Sequence, residues 1–124
     1  MICFDWYFPE SARTLALMGA DIICHPSNLV LPNCPDSMPV RCLENRVFAV
    51  TCNRIGTEAR GGKEALTFIG NSEIVGSRGV ILQRAPRDRE ELAVVDIDPA
   101  EARNKSLTRY NDLLGDRRPS LYGK

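Results

Sequence analysis

The stretch Met1-Ile2-Cys3-Phe4-Asp5-Trp6-Tyr7-Phe8-Pro9-Glu10 concentrates the reactive chemistry of this chain. A short apolar run ends in a cysteine, aromatic residues follow, and Pro-Glu opens a helical pattern. That order reads as a strand-to-helix turn with a thiol at its tip. A thiolate there is a nucleophile, and the backbone N–H groups of the turn aim at whatever it attacks. The plain alternative is a small buried apolar residue, the usual fate of free cysteine. Asp5 and Glu10 serve equally well as cap and first-turn acids favoured by the helix dipole. Trp6 and Tyr7 read either as core aromatics or as walls of a pocket beside the thiol.

His25 is the single histidine of the chain, so it is the one candidate imidazole base. A Cys3–His25 pair would be a thiol–base arrangement. The commoner outcome, which we favour, is a strand-end histidine satisfied by backbone. The other cysteines stand at 24, 34, 42 and 52. They read as core or loop thiols, Cys52 in an apolar strand and Cys34 between prolines. No pair has Cys-x-x-Cys spacing, so neither a metal nor another cofactor is expected. The Gly56 to Lys63 segment lacks the Gly-Lys-Ser/Thr and the strand-loop-helix setting of a phosphate loop.

Residues 1–3 read as the end of a buried strand. Pro9 suits a first helical turn, and Ala12, Leu15, Ala16 and Gly19 follow the helical period to a glycine stop. Residues 20–25 read as a second strand, ended by Pro26-Ser27-Asn28. Together they form a βαβ unit with parallel strands and a right-handed crossover. Both strands then present their C-terminal ends on one side, which brings Cys3 close to the 25–28 turn. Ligand sites in open α/β sheets favour that edge. Residues 29–40, with Pro32, Pro35 and Pro39, read as a loop, and 40–46 as a short helix. Residues 47–52 read as an apolar strand buried on both faces. Residues 66–69, 72–76, 80–84 and 92–97 read as strands, with Gly79 placed for a hairpin turn. Residues 99–107 read as a helix and the tail to Lys124 as irregular. Arg41, Glu44, Asn45 and Arg46 read as a solvated helix face, and Asn53-Arg54 as surface residues.

The length, 124 residues, allows one small domain. Lys plus Arg and Asp plus Glu are 16 each, a formal net charge of zero, so no basic stripe attracts nucleic acid. The apolar runs are too short to span a membrane, and the N-terminus lacks the pattern of a signal peptide. Reduced thiols in a cytoplasmic protein are the expectation.

The N-terminal stretch resembles the nucleophile segment of the nitrilase, or carbon–nitrogen hydrolase, superfamily. The resemblance continues through Gly19-Ala20-Asp21-Ile22-Ile23, Pro26-Ser27-Asn28, Arg41-x-x-Glu44-Asn45-Arg46 and Asn53-Arg54-x-Gly56. It runs on in Phe68-x-Gly70-x-Ser72-x-Ile74 and Asp116-Arg117-Arg118-Pro119-x-x-Tyr122, so it covers nearly the whole chain. It implies an α/β fold, one half of a four-layer α-β-β-α sandwich, with residues 1–124 as the C-terminal portion of one domain. It implies hydrolysis of a nitrile or small amide through a cysteine thioester, with Cys3 as nucleophile and the Phe4 N–H as oxyanion donor. Trp6, Tyr7 and Asn28 are the implied substrate contacts. The family's catalytic Glu and Lys lie upstream of Met1 in this alignment, so Glu10, Glu44 and Lys63 do not inherit those roles. A homo-oligomer is implied, joined through the helix after Cys3 and a tail carrying Arg117 and Arg118. The other reading is a non-catalytic half-chain that keeps only the dimerisation surface.

Overall fold

The computed structural model describes residues 1–122. Its centre is a mixed sheet of four strands: β1 (Ile22–Ser27), β2 (Phe48–Asn53), β5 (Glu73–Val75) and β6 (Ile81–Arg84), in the order β1-β2-β5-β6. β1 and β2 are parallel and the other pairings antiparallel. Two helices, α1 (Pro9–Leu17) and α2 (Cys34–Asn45), pack on one face. Short hairpins lie outside the sheet: β3 (Thr57–Glu58) with β4 (Leu66–Thr67), and β7 (Ser106–Thr108) with β8 (Asn111–Asp112). A single-turn helix, α3 (Ala100–Arg103), precedes the second hairpin.

Register explains the core. Side chains alternate across a strand, so partners in register share a face. Ile23, Ala49 and Val75 form one cross-strand row, and all are buried against Ala12, Ala16, Met38 and Cys42 of the helices. The next row on the same face is polar: His25, Thr51 and Glu73, with Arg84 opposite Glu73. The reverse face carries Ile22, Cys24, Val50 and Cys52, which are exposed. β2 is therefore buried on both faces only at its start, where Phe48 and Ala49 are both covered; from Val50 on it alternates, with one side open.

The parallel crossover runs from β1 through α2 to β2, not from residues 1–3 through α1. Residues 1–2 form no ladder; the Met1 amine donates to the Cys24 carbonyl at 3.3 Å, and a 3₁₀ turn starts at Cys3. β1 also begins and ends two residues later than expected, taking in Pro26. Proline is tolerated there because β1 is an edge strand.

The largest departure is α2. Three prolines suggested a loop over 29–40, yet a twelve-residue helix starts at Cys34. Pro35 falls in the first turn, where its missing N–H has no intrahelical partner to lose. Pro39 lies inside the helix, and its missing N–H leaves the Pro35 carbonyl without a helical donor. Arg84 Nη2 supplies that donor at 2.7 Å. The burial of Cys34, Met38, Cys42 and Asn45, spaced four, four and three apart, is the helical signal the prolines masked.

Residues 92–97 alternate like a strand but find no partner edge, and Leu92 and Val94 stay exposed. The helix expected over 99–107 shrinks to α3, because Ser106 to Thr108 pair with β8 instead. The tail contains that hairpin and a 3₁₀ turn at Pro119–Leu121. Gly123 and Lys124 lie outside the described residues. No helix among the described residues is long and apolar enough to cross a membrane.

Candidate active site

Cys3 is the first residue of the 3₁₀ turn Cys3–Tyr7 and has φ +46°, in the left-handed region. For a residue with a Cβ this costs about 1–3 kcal/mol, so the surroundings must enforce it. Four hydrogen bonds do so from four directions. Asp5 Oδ2 accepts from the Ile2 N–H at 2.8 Å and closes the turn on itself. The Met1 amine is tied to β1 through the Cys24 carbonyl. Arg41 Nε of α2 donates to the Trp6 carbonyl at 3.3 Å. His25 Nε2 lies 2.7 Å from the Cys3 carbonyl oxygen.

The tautomer of His25 follows from its partners. A carbonyl oxygen only accepts, so the ring proton sits on Nε2. Nδ1 then accepts from the Thr51 hydroxyl at 3.1 Å. Ser27 Oγ, 3.0 Å from Nε2, is a second acceptor, its own proton directed to the His25 carbonyl. The ring is 1% exposed, and this burial holds its pKa below the ordinary histidine value. His25 is thus a neutral imidazole satisfied by backbone, the commoner of the two outcomes read from sequence. Its contact with Cys3 is to the carbonyl.

Cys3 opens into a cavity of about 410 Å³ lined by Ile2, Cys3, Pro26, Ser27, Asn28, Cys52, Asn53 and Arg54. It lies at the C-terminal ends of β1 and β2, the edge anticipated for ligands. Among the described residues no carboxylate and no lysine lines it. Asn28 belongs to the cavity. Trp6 does not: it is 3% exposed and packs in the core, so the pocket-wall reading gives way to core packing in this structure. Tyr7 is exposed and stacks on Phe4 with centroids 5.2 Å apart, also away from the cavity.

Asn53 and Arg54, read from sequence as surface residues, both line this cavity. Asn53 is buried; its Oδ1 accepts from the Leu29 N–H and its Nδ2 donates to the Gly70 carbonyl, both at 2.7 Å. It therefore pins two loops beside the thiol. Their position directly after an apolar strand ending opposite Ser27 was the signal that could have found them. The Arg54 guanidinium pairs with Glu58 at 2.5 Å and lies over the Phe68 ring, 4.4 Å from its centroid. Arg41, also read as solvated, pairs with Glu44 at 3.0 Å while bracing the nucleophile turn. Arg117 borders a separate cavity of about 560 Å³ with Glu10, Arg13 and Tyr122, whereas Arg118 is exposed. Among the described residues no cluster of His, Cys, Asp or Glu is arranged to hold a metal ion.

Residues 1–105 match the carbon–nitrogen hydrolase family. The chain belongs to this family. A nitrilase from Pyrococcus abyssi is 52% identical over 122 residues, spanning 98% of this chain and 45% of that protein. N-carbamoylputrescine amidase of rice is 36% identical over 135 residues, spanning 98% and 44%. Among solved structures, a carbon–nitrogen hydrolase of Helicobacter pylori superposes with a TM-score of 0.85 at 28% identity, over 98% of this chain and 46% of that one. An amidase mutant from Nesterenkonia, described as carrying a covalent acetamide moiety at its active-site cysteine, gives 0.75 at 31% identity over 98% and 41%. This carbon–nitrogen hydrolase chain therefore spans a little under half the length of the relatives it matches, and carries half of a nitrilase-type fold.

Proposed function

We propose that the chain is the nucleophile-bearing portion of a hydrolase for non-peptide carbon–nitrogen bonds, acting on a nitrile or small amide. One observation carries this: Cys3 is held at a left-handed φ facing a cavity at the ends of two parallel strands, in a member of the carbon–nitrogen hydrolase family. The Cys3 thiolate adds to the nitrile or amide carbon. An amide gives a tetrahedral adduct that expels ammonia and leaves a thioester. A nitrile gives a thioimidate, which adds water before ammonia leaves. Water then cleaves the thioester, releasing the acid and restoring the thiol.

The Phe4 N–H is the oxyanion donor in this scheme. It follows the nucleophile in the turn and makes no hydrogen bond among the described residues. The general base and the lysine of the resemblance belong to the part of the family fold outside these residues; that no carboxylate among the described residues lines the Cys3 cavity supports that division. Asn28 borders the substrate. The Arg54 charge is engaged by Glu58, which supports an uncharged substrate over an acidic one. Five free thiols support a cytoplasmic setting. A homo-oligomer would use the outer face of α1 and the tail, where Leu17, Met18 and Tyr122 are exposed beside Arg117 and Arg118. Sedimentation of the intact protein should then show a dimer or larger, and a monomer would remove that element.

The deciding experiment is ammonia release from a panel of small nitriles and amides by the intact protein and its Cys3→Ala variant. Release by the parent alone supports the reading. Equal release by both, or none by either, contradicts it.

A further inference from the structure

The reading above leaves the buried His25 without a chemical role, yet the ring is committed to the nucleophile's own carbonyl. We propose that His25 is a positioning residue that aims the oxyanion donor, an inference resting on Cys3 as nucleophile and the Phe4 N–H as donor. The Cys3 carbonyl and the Phe4 N–H belong to one peptide unit. That unit is planar and trans, so its oxygen and its amide hydrogen point in opposite directions. Fixing the oxygen fixes the direction of the N–H.

His25 and Thr51 lie on the helix-covered face, with His25 Nε2 drawing the Cys3 oxygen toward it at 2.7 Å. The Cys3 cavity is lined from both faces of the sheet, by Ser27 and Asn53 of the covered face and by Pro26 and Cys52 of the open one. A carbonyl held by His25 turns the Phe4 N–H the opposite way, toward the side that Pro26 and Cys52 line. The hydrogen bond also opposes relaxation of the left-handed Cys3 backbone, because any rotation of this peptide breaks it.

A second consequence is electronic. The Thr51 hydroxyl donates to Nδ1, Nε2–H donates to the Cys3 carbonyl, and that carbonyl is conjugated to the Phe4 N–H. Hydrogen bonds in such a chain polarise one another, so the last N–H becomes a stronger donor to developing negative charge. His25 and Thr51 are buried, and each ring nitrogen has a partner. His25 therefore acts without gaining or losing a proton and without touching the substrate.

The test separates two reactions of the same thiol. Alkylation by iodoacetamide is a displacement at carbon and creates no oxyanion. Acetylation by p-nitrophenyl acetate passes through a tetrahedral oxyanion. Both rates are read at the Cys3 peptide by mass spectrometry, in the intact protein, for the parent, His25→Ala, His25→Gln and Thr51→Val. Since losing an oxyanion donor costs a factor of about 10²–10³, His25→Ala should slow acetylation by about that much at most, and at least tenfold, while alkylation changes by less than about threefold. His25→Gln, which keeps an N–H donor at similar reach, should recover most of the loss. Thr51→Val should show the same split more weakly, and it serves if His25→Ala does not fold. Equal slowing of both reactions, no slowing of either, or a Gln variant no better than Ala overturns the proposal. Failure of the parent to acetylate at Cys3 would instead overturn the nucleophile assignment on which it rests.

Discussion

The nucleophile turn and the inner side of α2 both hold thiols, and their surroundings differ in every respect that governs reactivity. Cys3 stands in a left-handed turn on a cavity, half-buried and reachable. Cys34 and Cys42 lie on the inner side of α2, packed among Met38, Ile23 and Val75. Burial pushes both of their pKa values up to about 12, and the nearby Glu73 adds to the rise. The same element type thus serves as reagent in one place and as packing material in the other. What separates them is the backbone: a strained turn braced from four sides presents a side chain, while a regular helix buries it.

The largest effect expected from this contrast is on turnover. Cys3→Ala should lower hydrolysis by the intact protein by at least about 10⁴-fold with an unchanged melting curve, since Cys52, the other thiol on the cavity, sits on β2 and outside the nucleophile turn. Steady-state ammonia assays read this, and retained turnover would erase the distinction between the two regions. Next in size, Met38→Ala should cost about 2–5 kcal/mol in denaturant unfolding, because Met38 is fully buried between the thiols of α2. A loss under 1 kcal/mol would mean that this packing is loose.

Glu73 sharpens the comparison through pH. Its side chain is fully buried, and Oε2 meets Arg84 at 2.9 Å while Oε1 has no partner. Burial outweighs the pull of Arg84 and raises its pKa from 4.5 to about 7. The folded state then binds the Glu73 proton more tightly than the unfolded state. This contribution is fully present below about pH 4.5 and is lost as pH rises through about 7, by at most about 3 kcal/mol. Unfolding midpoints across that window should fall with pH in the parent and flatten in Glu73→Gln. A parallel fall in both would assign the slope to other groups. The smallest effect concerns Cys42→Ala, which removes one buried sulfur. It should cost about 1 kcal/mol of stability and leave turnover within about twofold. A large loss of turnover would give the buried region a catalytic role that the contrast denies it.

The two regions also differ in how far the sequence disclosed them. The nucleophile turn is local: Cys3, Asp5 and Pro9 lie within one short stretch. The expected approach of Cys3 to Ser27 and Asn28 is present, although the strand at residues 1–3 from which it was argued is not; hydrogen bonds from the Met1 nitrogen to the Cys24 carbonyl and from His25 to the Cys3 carbonyl bring the two together. The α2 region is not local. Its helix tolerates Pro39 because Arg84, on a distant strand, reaches the carbonyl that the proline leaves bare. No propensity argument at residues 29–40 contains that information. Trp6 was ambiguous between core and cavity wall for a related reason, since its fate depends on where α1 and α2 close over the turn. Residues 92–97 have a strand's alternation and no partner edge, and pairing is a property of two segments. Val50 and Cys52 likewise read in sequence as part of a strand buried on both faces; half of a nitrilase-type fold leaves them uncovered.

The most direct test of Cys3 as the reacting thiol is to trap the covalent intermediate. The intact protein is mixed with a turned-over amide, quenched in acid within one turnover, digested and mapped by mass spectrometry. An acyl mass increment confined to the peptide bearing Cys3 is the predicted result. The same increment on Cys24 or Cys52, or hydrolysis proceeding with no acylated cysteine, would contradict the account.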